Sequence, residues 1–470
     1  MTINHSGQVN GLPNMTKDTR KPLLVMSAGP IMGHSAPMFH IAREMIKRGF
    51  EVIFMTAPDQ KENAEKVGAE YYETSSFFPP GTIESRDAVP VGIERLIYDM
   101  ESIFLPNLAP RAANFRSLLE MVRERDADRD VVIVAETVSF AAISFMYGAP
   151  LPKGYDTFPK VININVVPLL SSSDDIAPFG PGLPPDSTES GRARNRLLNQ
   201  LMYYQGPFAS INEHFHQILK DVGCTSVPKQ FMFDAWAESY DTCFQMCSPS
   251  LEYPRSDLHP SVRYAGALPK RGIAPNYKYP SWWSEITENA ALPIDSPHRK
   301  KVIPVAQGTA SIDYTDLIIP AIKALGQKSN VIVIAILGVK DATLPADLEI
   351  SPNVRVVDFL PYDAALEYAD VFVSNGGYGG MTHSVINGVP MVVAGISEDK
   401  VEVTARAEYA GFAINLKTQT PTAEQIAGAV DKIFGEPKYK RKALRLKQEN
   451  EDLDSLSIIE REIIKYSRKG

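Results

Sequence analysis

The sequence predicts an α/β protein of two domains, each a doubly wound parallel sheet. Three observations predict it. Apolar, β-branched runs of strand length alternate with helical runs along both halves of the chain. Each half opens on a strand, a glycine-bearing turn and a helix: residues 22–27 with the turn 28–34, and residues 301–305 with the turn 307–311. At 470 residues the chain exceeds one ordinary core and calls for two domains or three.

Composition narrows the class. A hydrophobic share of 44% and a charged share of 22% are those of a soluble globular protein. The net charge of −8, with no basic stripe, argues against nucleic acid as a partner. Cys224, Cys243 and Cys247 are too few for a disulfide framework and are joined by no histidine cluster that would complete a zinc site. A reducing, cytoplasmic setting is expected. Residues 1–20 are polar, lack the apolar core of a signal peptide and read as a mobile tail. No apolar window of about 18 residues exists, so no membrane span is expected.

The first domain is expected over 21–267. Its opening strand leads through Ala28-Gly29-Pro30-Ile31-Met32-Gly33-His34 into a helix over 35–48, with Met38, Ile41, Ala42, Met45 and Ile46 at helical spacing. The turn is not Gly-x-Gly-x-x-Gly, and strand two, 51–55, ends without a ribose-binding acid, so a nicotinamide dinucleotide site is not expected. His34 falls at the carboxyl edge of strand one. It either faces a cleft or caps and packs the helix. Phe77-Phe78-Pro79-Pro80 and the span 93–104, with Tyr98 and Phe104, put aromatic residues near loops, as a pocket wall or as core. A helix fits 108–125, and Asp126-x-Asp128 at its charged end reads as solvated surface.

The buried strand 130–136 ends in Glu136, and 137–142, with Phe140, reads as a helix start. Glu136 either meets His34 and orients the imidazole, as a triad acid does, or is a solvated carboxylate favoured by a helix dipole. A strand over 160–166, a Pro/Gly/Ser-rich loop over 171–195 and a helical run over 197–222 follow. Strands at 241–245 and 262–265 close the domain, and the Pro-rich stretch 268–299 reads as a linker.

The second domain is expected over 300–437. Strand 301–305 contains Pro304, which counts against a central strand. A helix over 314–325 and strands at 331–337 and 354–357 lead to Phe359-Leu360-Pro361-Tyr362 and a short helix. Strand 370–373 then runs into Asn375-Gly376-Gly377-Tyr378-Gly379-Gly380, with four glycines in five residues, and a helix over 381–386 carrying His383. Glycines there uncover backbone N–H groups and the helix dipole adds positive charge, which suits a phosphate or diphosphate. A turn without a ligand would leave the entropy cost of four glycines without a reason. Strand 389–393 runs into the next carboxyl edge, 394–400, with Asp399 and Lys400. A helix over 401–410, a strand over 412–416 and helices from Pro421 and Lys438 finish the chain. The last segment, 438–470, is amphipathic through Leu444, Leu453, Leu456, Ile459 and Ile463, and is too irregular for a coiled coil.

These residues carry a family resemblance from Pro22 to the last helix, strongest over 359–416. The chain resembles the family 1 glycosyltransferases of the GT-B type. Their aromatic-x-Pro-Gln lead-in is similar to Phe359-Leu360-Pro361-Tyr362, their phosphate turn to Asn375 through Gly380, their Gly-Val-Pro to Gly388-Val389-Pro390 and their Asp-Gln to Asp399-Lys400. Gly33-His34 with Pro37, and Arg48-Gly49-Phe50-Glu51-Val52, resemble the family's Gly-His-x-x-Pro and Arg-Gly-His-Glu-Val. Asn375 stands where the family has a diphosphate-contacting histidine, His383 where it has a ribose-holding acid, and Lys400 where it has glutamine. A fungal and bacterial branch shares the Asn-Gly-Gly-Tyr-Gly-Gly and Glu-Asp-Lys forms.

The resemblance implies two Rossmann-like domains facing across a cleft, with the last helix crossing back to the first. It implies His34 as general base and Glu136 as its partner acid, where aspartate is usual. Thr309 and the turn Asn375, Gly376, Gly377, Tyr378, Gly379, Gly380 would meet the diphosphate. Phe359 and Leu360 would lie by the nucleotide base, His383 at the ribose, and Asp399 and Lys400 at the sugar. The co-substrate would be a UDP-sugar, with UDP-glucose the first expectation, and neither metal nor further cofactor. The acceptor would be a small apolar or phenolic alcohol held by Phe77, Phe78, Tyr98, Phe104 and Phe140, in a monomer or weak dimer. Two alternatives stay open: a GT-B sugar-nucleotide epimerase, and a non-catalytic sugar-nucleotide-binding partner, to which Asn375, His383 and Lys400 point.

Overall fold

The computed structural model describes residues 20–309 and 311–467. The tail expected over 1–20 lies outside the described residues except for Arg20, as do the last three residues of the terminal segment. The first sheet holds β1 (Leu23–Ser27), β2 (Val52–Thr56), β3 (Glu70–Glu73), β4 (Val131–Glu136), β5 (Val161–Asn165), β6 (Thr242–Gln245) and β7 (Val262–Tyr264), in the order β3-β2-β1-β4-β5-β6-β7. The second holds β8 (Lys301–Ala306), β9 (Val331–Ile336), β10 (Val354–Val357), β11 (Phe372–Ser374), β12 (Met391–Val393) and β13 (Ala413–Asn415), in the order β10-β9-β8-β11-β12-β13. Every recorded pairing in both sheets is parallel.

Each sheet reverses its strand order beside its first strand, between β1 and β4 and between β8 and β11. At such a switch point the following turns splay to opposite faces and leave a crevice at the carboxyl edge. Ser27 pairs with Ala135 there, and Ala306 with Ser374. Glu136 ends β4, and the turns and helix starts after β1, β8 and β11 carry His34, Thr309 and the four glycines.

Helical layers cover both faces of each sheet, so β1, β2, β4, β5 and β9 are buried at every residue and show no polar alternation. Neighbours along a strand feed opposite cores. Val25 and Ile133 pack with Phe115 and Phe140 on one face, while Leu24 and Val132 pack with Phe39 on the other. The edge strand β3 reads Glu-Tyr-Tyr-Glu and is half to fully exposed, so it matched no buried-strand pattern.

Pro304 does sit in a central strand. N–H groups of a parallel strand point alternately to its two neighbours. Lys301 donates to Asn330 on the β9 side, and the Val302 N–H goes to the Asp370 carboxylate ahead of β11. The missing N–H of Pro304 therefore falls on the β11 side. There the ladder holds only Val373 opposite Val305 and Ser374 opposite Ala306, against six pairs with β9.

The structure departs from the sequence reading in several connections. The stretch 268–299 contains a helix, Trp283–Ala291, whose Trp283 and Ile286 sink into the second core. The helix Glu189–Asn199 starts inside the segment read as loop, capped by Thr188, whose hydroxyl accepts the Gly191 N–H at 3.1 Å. The run 197–222 is split, and its second half is the helix Ala209–Asp221. Residues 137–142 form a tight turn with Phe140 at φ 55°, and the short helix Ile143–Met146 comes after it.

The chain end joins the two domains. Ala443 and Leu446 of the helix Lys438–Leu453 belong to the second core. Asp454, at φ 49°, turns the chain. The helix Ser455–Tyr466 then puts Leu456, Ile459 and Ile463 beside Phe39 and Leu24 of the first. Arg48 binds Glu460 at 2.5 Å and Thr242 donates to Glu462 at 2.8 Å. Among the described residues no helix is long and apolar enough to cross a membrane.

Candidate active site

Glu136 is the last residue of β4 and is fully buried. A buried carboxylate needs donors, and it has three. Its Oε2 accepts the Gly29 N–H at 3.1 Å, and its Oε1 accepts the Val138 N–H at 3.1 Å and meets His34 Nδ1 at 2.8 Å. The approach of the Gly29 turn depends on glycine. A Cβ there would stand 2.8 Å from Val138 Cγ2 and 3.5 Å from Glu136 Oε2. His34 belongs to the first turn of the helix Met32–Lys47, which begins three residues earlier than the sequence reading placed it.

Burial alone would lower the His34 pKa. The Glu136 charge and hydrogen bond, joined by Asp399 from the second domain, more than offset it, and the net shift is upward from 6.5. Glu136 on Nδ1 selects the tautomer that leaves the Nε2 lone pair free. The geometry is that of an imidazole base oriented by a buried acid.

Across the crevice, β11 ends at Ser374 and the helix Tyr378–Asn387 starts three residues after Asn375, with no side chain capping its N-terminus. Gly376 sits at φ 78°, and a Cβ would meet Thr404 Cγ2 at 2.3 Å. Around Gly379 a Cβ would meet nothing within 4 Å, so this turn is open on its outer side. Uncapped N–H groups at a helix terminus bind anions. The Asn375 amide donates to the Gln307 carbonyl at 2.6 Å and so ties this turn to the one after β8, where Thr309 is exposed.

The side chain of Tyr378 turns away from this turn. Its hydroxyl accepts from Gln245 Nε2 at 2.8 Å, a buried link from the phosphate-type turn to the end of β6. Gln245 continues through Asn165 to Thr137, the residue after Glu136.

Asp399 precedes the helix Lys400–Tyr409 as its N-cap residue and is half-buried. Burial raises its pKa, against the pull of Lys400. The Lys400 ammonium is buried and bound to Ser397 Oγ at 2.9 Å and to the Glu398 carboxylate. Glu398, at φ 50°, also receives Arg86 from the first domain at 2.8 Å, and Arg86 is held in turn by Asp99 at 2.8 and 3.0 Å. An alternating chain Asp99–Arg86–Glu398–Lys400 thus spans the crevice beside the dyad. Burial would raise the Glu398 pKa, but Lys400 and Arg86 bring it down to about 2.

The remaining expected donor positions divide. Phe359 is 48% exposed, and its carbonyl accepts the Tyr277 hydroxyl at 3.2 Å, whereas Leu360 is part of the second core. His383 Nδ1 lies 3.3 Å from Asp363 Oδ1, an ion-pair distance without an aligned hydrogen bond, and its ring meets Tyr362 edge-on at 5.4 Å.

Among the aromatics, Phe77, Phe104 and Phe140 come together, with centroids 5.6 to 6.5 Å apart, and Trp236 joins Phe140 at 5.3 Å. Phe77 and Phe140 are buried, while Phe78, Tyr98 and Phe104 are partly exposed against the same core. A cavity of about 410 Å³ lined by Leu23, Val52 and Arg129 lies at the amino edge of the first sheet, away from the dyad. Among the described residues no three His, Cys, Asp or Glu side chains gather as a metal would require.

Sequence reasoning missed Arg86, Gln245 and Arg111, and gave Glu398 no role beyond its place in the Glu-Asp-Lys form. Gln245 obeys the rule that found Glu136, a polar residue at the carboxyl end of a buried strand. No local pattern marks Arg86.

A family model described as the erythromycin biosynthesis protein CIII-like C-terminal domain matches residues 322–457. UDP-glucosyltransferase 1 of Beauveria bassiana (strain ARSEF 2860) is 38% identical over 448 residues, covering 94% of this chain and 95% of the relative. UDP-glucosyltransferase A1 of Starmerella bombicola is 33% identical over 461 residues, covering 96% and 93%. Among solved structures, the glycotransferase of kitacinnamycin superposes with a TM-score of 0.68 at 20% identity, covering 94% of this chain and 100% of that one. With relatives this similar over almost its whole length and two facing parallel-sheet domains, the chain belongs to the family 1 UDP-glycosyltransferases and has their GT-B fold.

Proposed function

We propose that this protein is an inverting glycosyltransferase that moves glucose from UDP-glucose to a hydroxyl of a small apolar or phenolic acceptor. The observation that carries the reading is the 2.8 Å contact between His34 Nδ1 and Glu136 at one carboxyl edge, opposite an uncapped helix N-terminus at the other. The Beauveria and Starmerella relatives, both UDP-glucosyltransferases by name, support the donor.

His34 Nε2 takes the proton of the acceptor hydroxyl, and Glu136 stabilises the imidazolium. The oxygen attacks the anomeric carbon from the face opposite the diphosphate. A C–O bond forms there as the C–O bond to phosphate breaks, and its electron pair leaves on UDP. The new charge is met by the N–H groups of Gly376 to Gly380, by Thr309 and by the helix dipole. On this reading the helix terminus supplies the electrostatic stabilisation, so a metal is not required. Asp399 orients the sugar near His34, in keeping with the charge it exerts on that imidazole. The partly exposed Phe78, Tyr98 and Phe104 offer an apolar wall for the acceptor. The free thiols Cys224, Cys243 and Cys247 fit a reducing, cytoplasmic setting.

The test is a mass-spectrometric screen of several UDP-sugars against phenols, flavonoids, sterols and hydroxylated lipids, with anomeric configuration read by NMR. A glucoside of inverted configuration is expected. Isomerised donor or free sugar as the main product would mark an epimerase, and nucleotide binding without turnover a non-catalytic partner.

A further inference from the structure

We infer that Arg111 is a positioning residue for the base: it fixes the backbone segments that hold Glu136 and supplies a countercharge to Glu136 that limits its pull on the His34 proton. The inference rests on the reading of His34 as general base.

Arg111 lies in the helix Leu108–Arg125 and is wholly buried. An arginine in a core is rare and needs every donor satisfied. Its fork is spent on three backbone carbonyls: Nε on Ser139 at 2.6 Å, Nη1 on Ser75 at 3.1 Å and Nη2 on Ala28 at 2.7 Å. Those carbonyls frame the dyad. The Ala28 carbonyl belongs to the same peptide group as the Gly29 N–H that binds Glu136 Oε2. Ser139 follows Val138, whose N–H binds Glu136 Oε1. Ser75 anchors the approach to Phe77, and the guanidinium stands 5.0 Å from the Phe77 ring centroid. One peptide thus accepts from Arg111 and donates to Glu136, and each bond polarises the other.

The charge has a second effect. Glu136 and Asp399 both pull protons onto His34. Among the described residues Tyr240 also feels the Glu136 charge, and it is neutral at neutral pH because burial raises its pKa. Arg111 is a positive charge that acts on Glu136 from within the core. Burial lowers its own pKa to about 9, so it stays charged at neutral pH. Without it, a buried carboxylate with no countercharge would hold the His34 proton more tightly, and a base already protonated is idle.

The test is the pH profile of kcat/KM for Arg111→Met and Arg111→Lys in the full chain, with UDP-glucose and an acceptor found in the screen. Loss of the charge should move the acid limb of Arg111→Met upward by about one pH unit, with activity partly recovered at high pH. Arg111→Lys keeps the charge and should keep the wild-type limb, with a lower kcat from the lost fork. Arg111→Gln, which retains a donor for one carbonyl, takes the place of the Met variant if that variant does not fold. A limb at the wild-type pH, with activity reduced equally at all pH values, overturns the inference and leaves Arg111 a packing residue. His34→Gln separates the two claims. If it is inactive while the Arg111 limb stays put, only the role of Arg111 falls; if it turns over normally, the reading of the base falls.

Discussion

Arg86 of the first domain and Glu398 of the second meet at 2.8 Å across the cleft. The contact is held from both sides, by Asp99 behind Arg86 and by Lys400 behind Glu398. The helix that carries Arg86, Thr82–Asp87, has no buried residue, so packing does little to fix it. Arg86→Ala should therefore loosen the cleft over the donor. The Arg86–Glu398 pair is solvent-exposed on its Glu398 side, and such a pair is worth about 0.2–1 kcal/mol, which corresponds to roughly 1.5- to 5-fold in kcat/KM for the donor. A double-mutant cycle with Glu398→Gln measures the coupling. Additive losses would mean that the pair contributes nothing jointly. Because the Glu398 pKa is depressed from 4.5 to about 2, the bridge contributes fully above pH 4.5 and fades as pH falls toward 2.

The pH dependence of catalysis has the opposite origin. On the proposed mechanism His34 must be unprotonated to act, and its pKa is raised above 6.5. The acid limb of the kcat/KM profile should therefore have its midpoint above 6.5, with the rate rising as pH increases through it. Glu136→Gln removes the carboxylate charge and should move that midpoint down while lowering the maximal rate. A midpoint well below 6.5 in the wild-type enzyme would contradict the electrostatic description of the dyad.

Gly376→Ala tests the turn proposed to bind the diphosphate. The backbone at φ 78° disfavours any side chain, and the new methyl would fall 2.3 Å from Thr404 Cγ2. Left-handed backbone alone costs about 1–2 kcal/mol for an alanine. The strain should lower the thermal stability of the variant, and the displaced turn should weaken UDP binding measured by calorimetry. Unchanged affinity would place the nucleotide elsewhere.

Much of this site could be read from the chain because its parts lie where parallel strands end. His34 and Glu136 are polar residues that follow buried apolar runs, and a parallel sheet brings such ends to one edge. The glycine turn was legible for the same reason. Arg86 was not, because its contact depends on how two separately folded domains face each other, which no periodicity encodes. Arg111 was hidden differently. Within a helix, arginine reads as a solvated face, and only the carbonyls of Ala28, Ser75 and Ser139, gathered from three distant segments, make its burial tolerable. Pro304 looked like evidence against a central strand, yet its missing donor falls where the β8–β11 ladder is short. The helix Trp283–Ala291 was masked by the prolines around it, although Trp283 and Ile286 have helical spacing.

The central claim is that the imidazole of His34 takes the acceptor's proton opposite a leaving diphosphate. Its most direct measurement compares single-turnover glucosyl transfer by wild-type enzyme and His34→Ala, with UDP affinity measured on the same samples. A general base contributes about 10²–10⁴-fold, so the variant should lose that much rate while binding UDP as before. Transfer at the wild-type rate by a folded, UDP-binding His34→Ala protein would contradict the account.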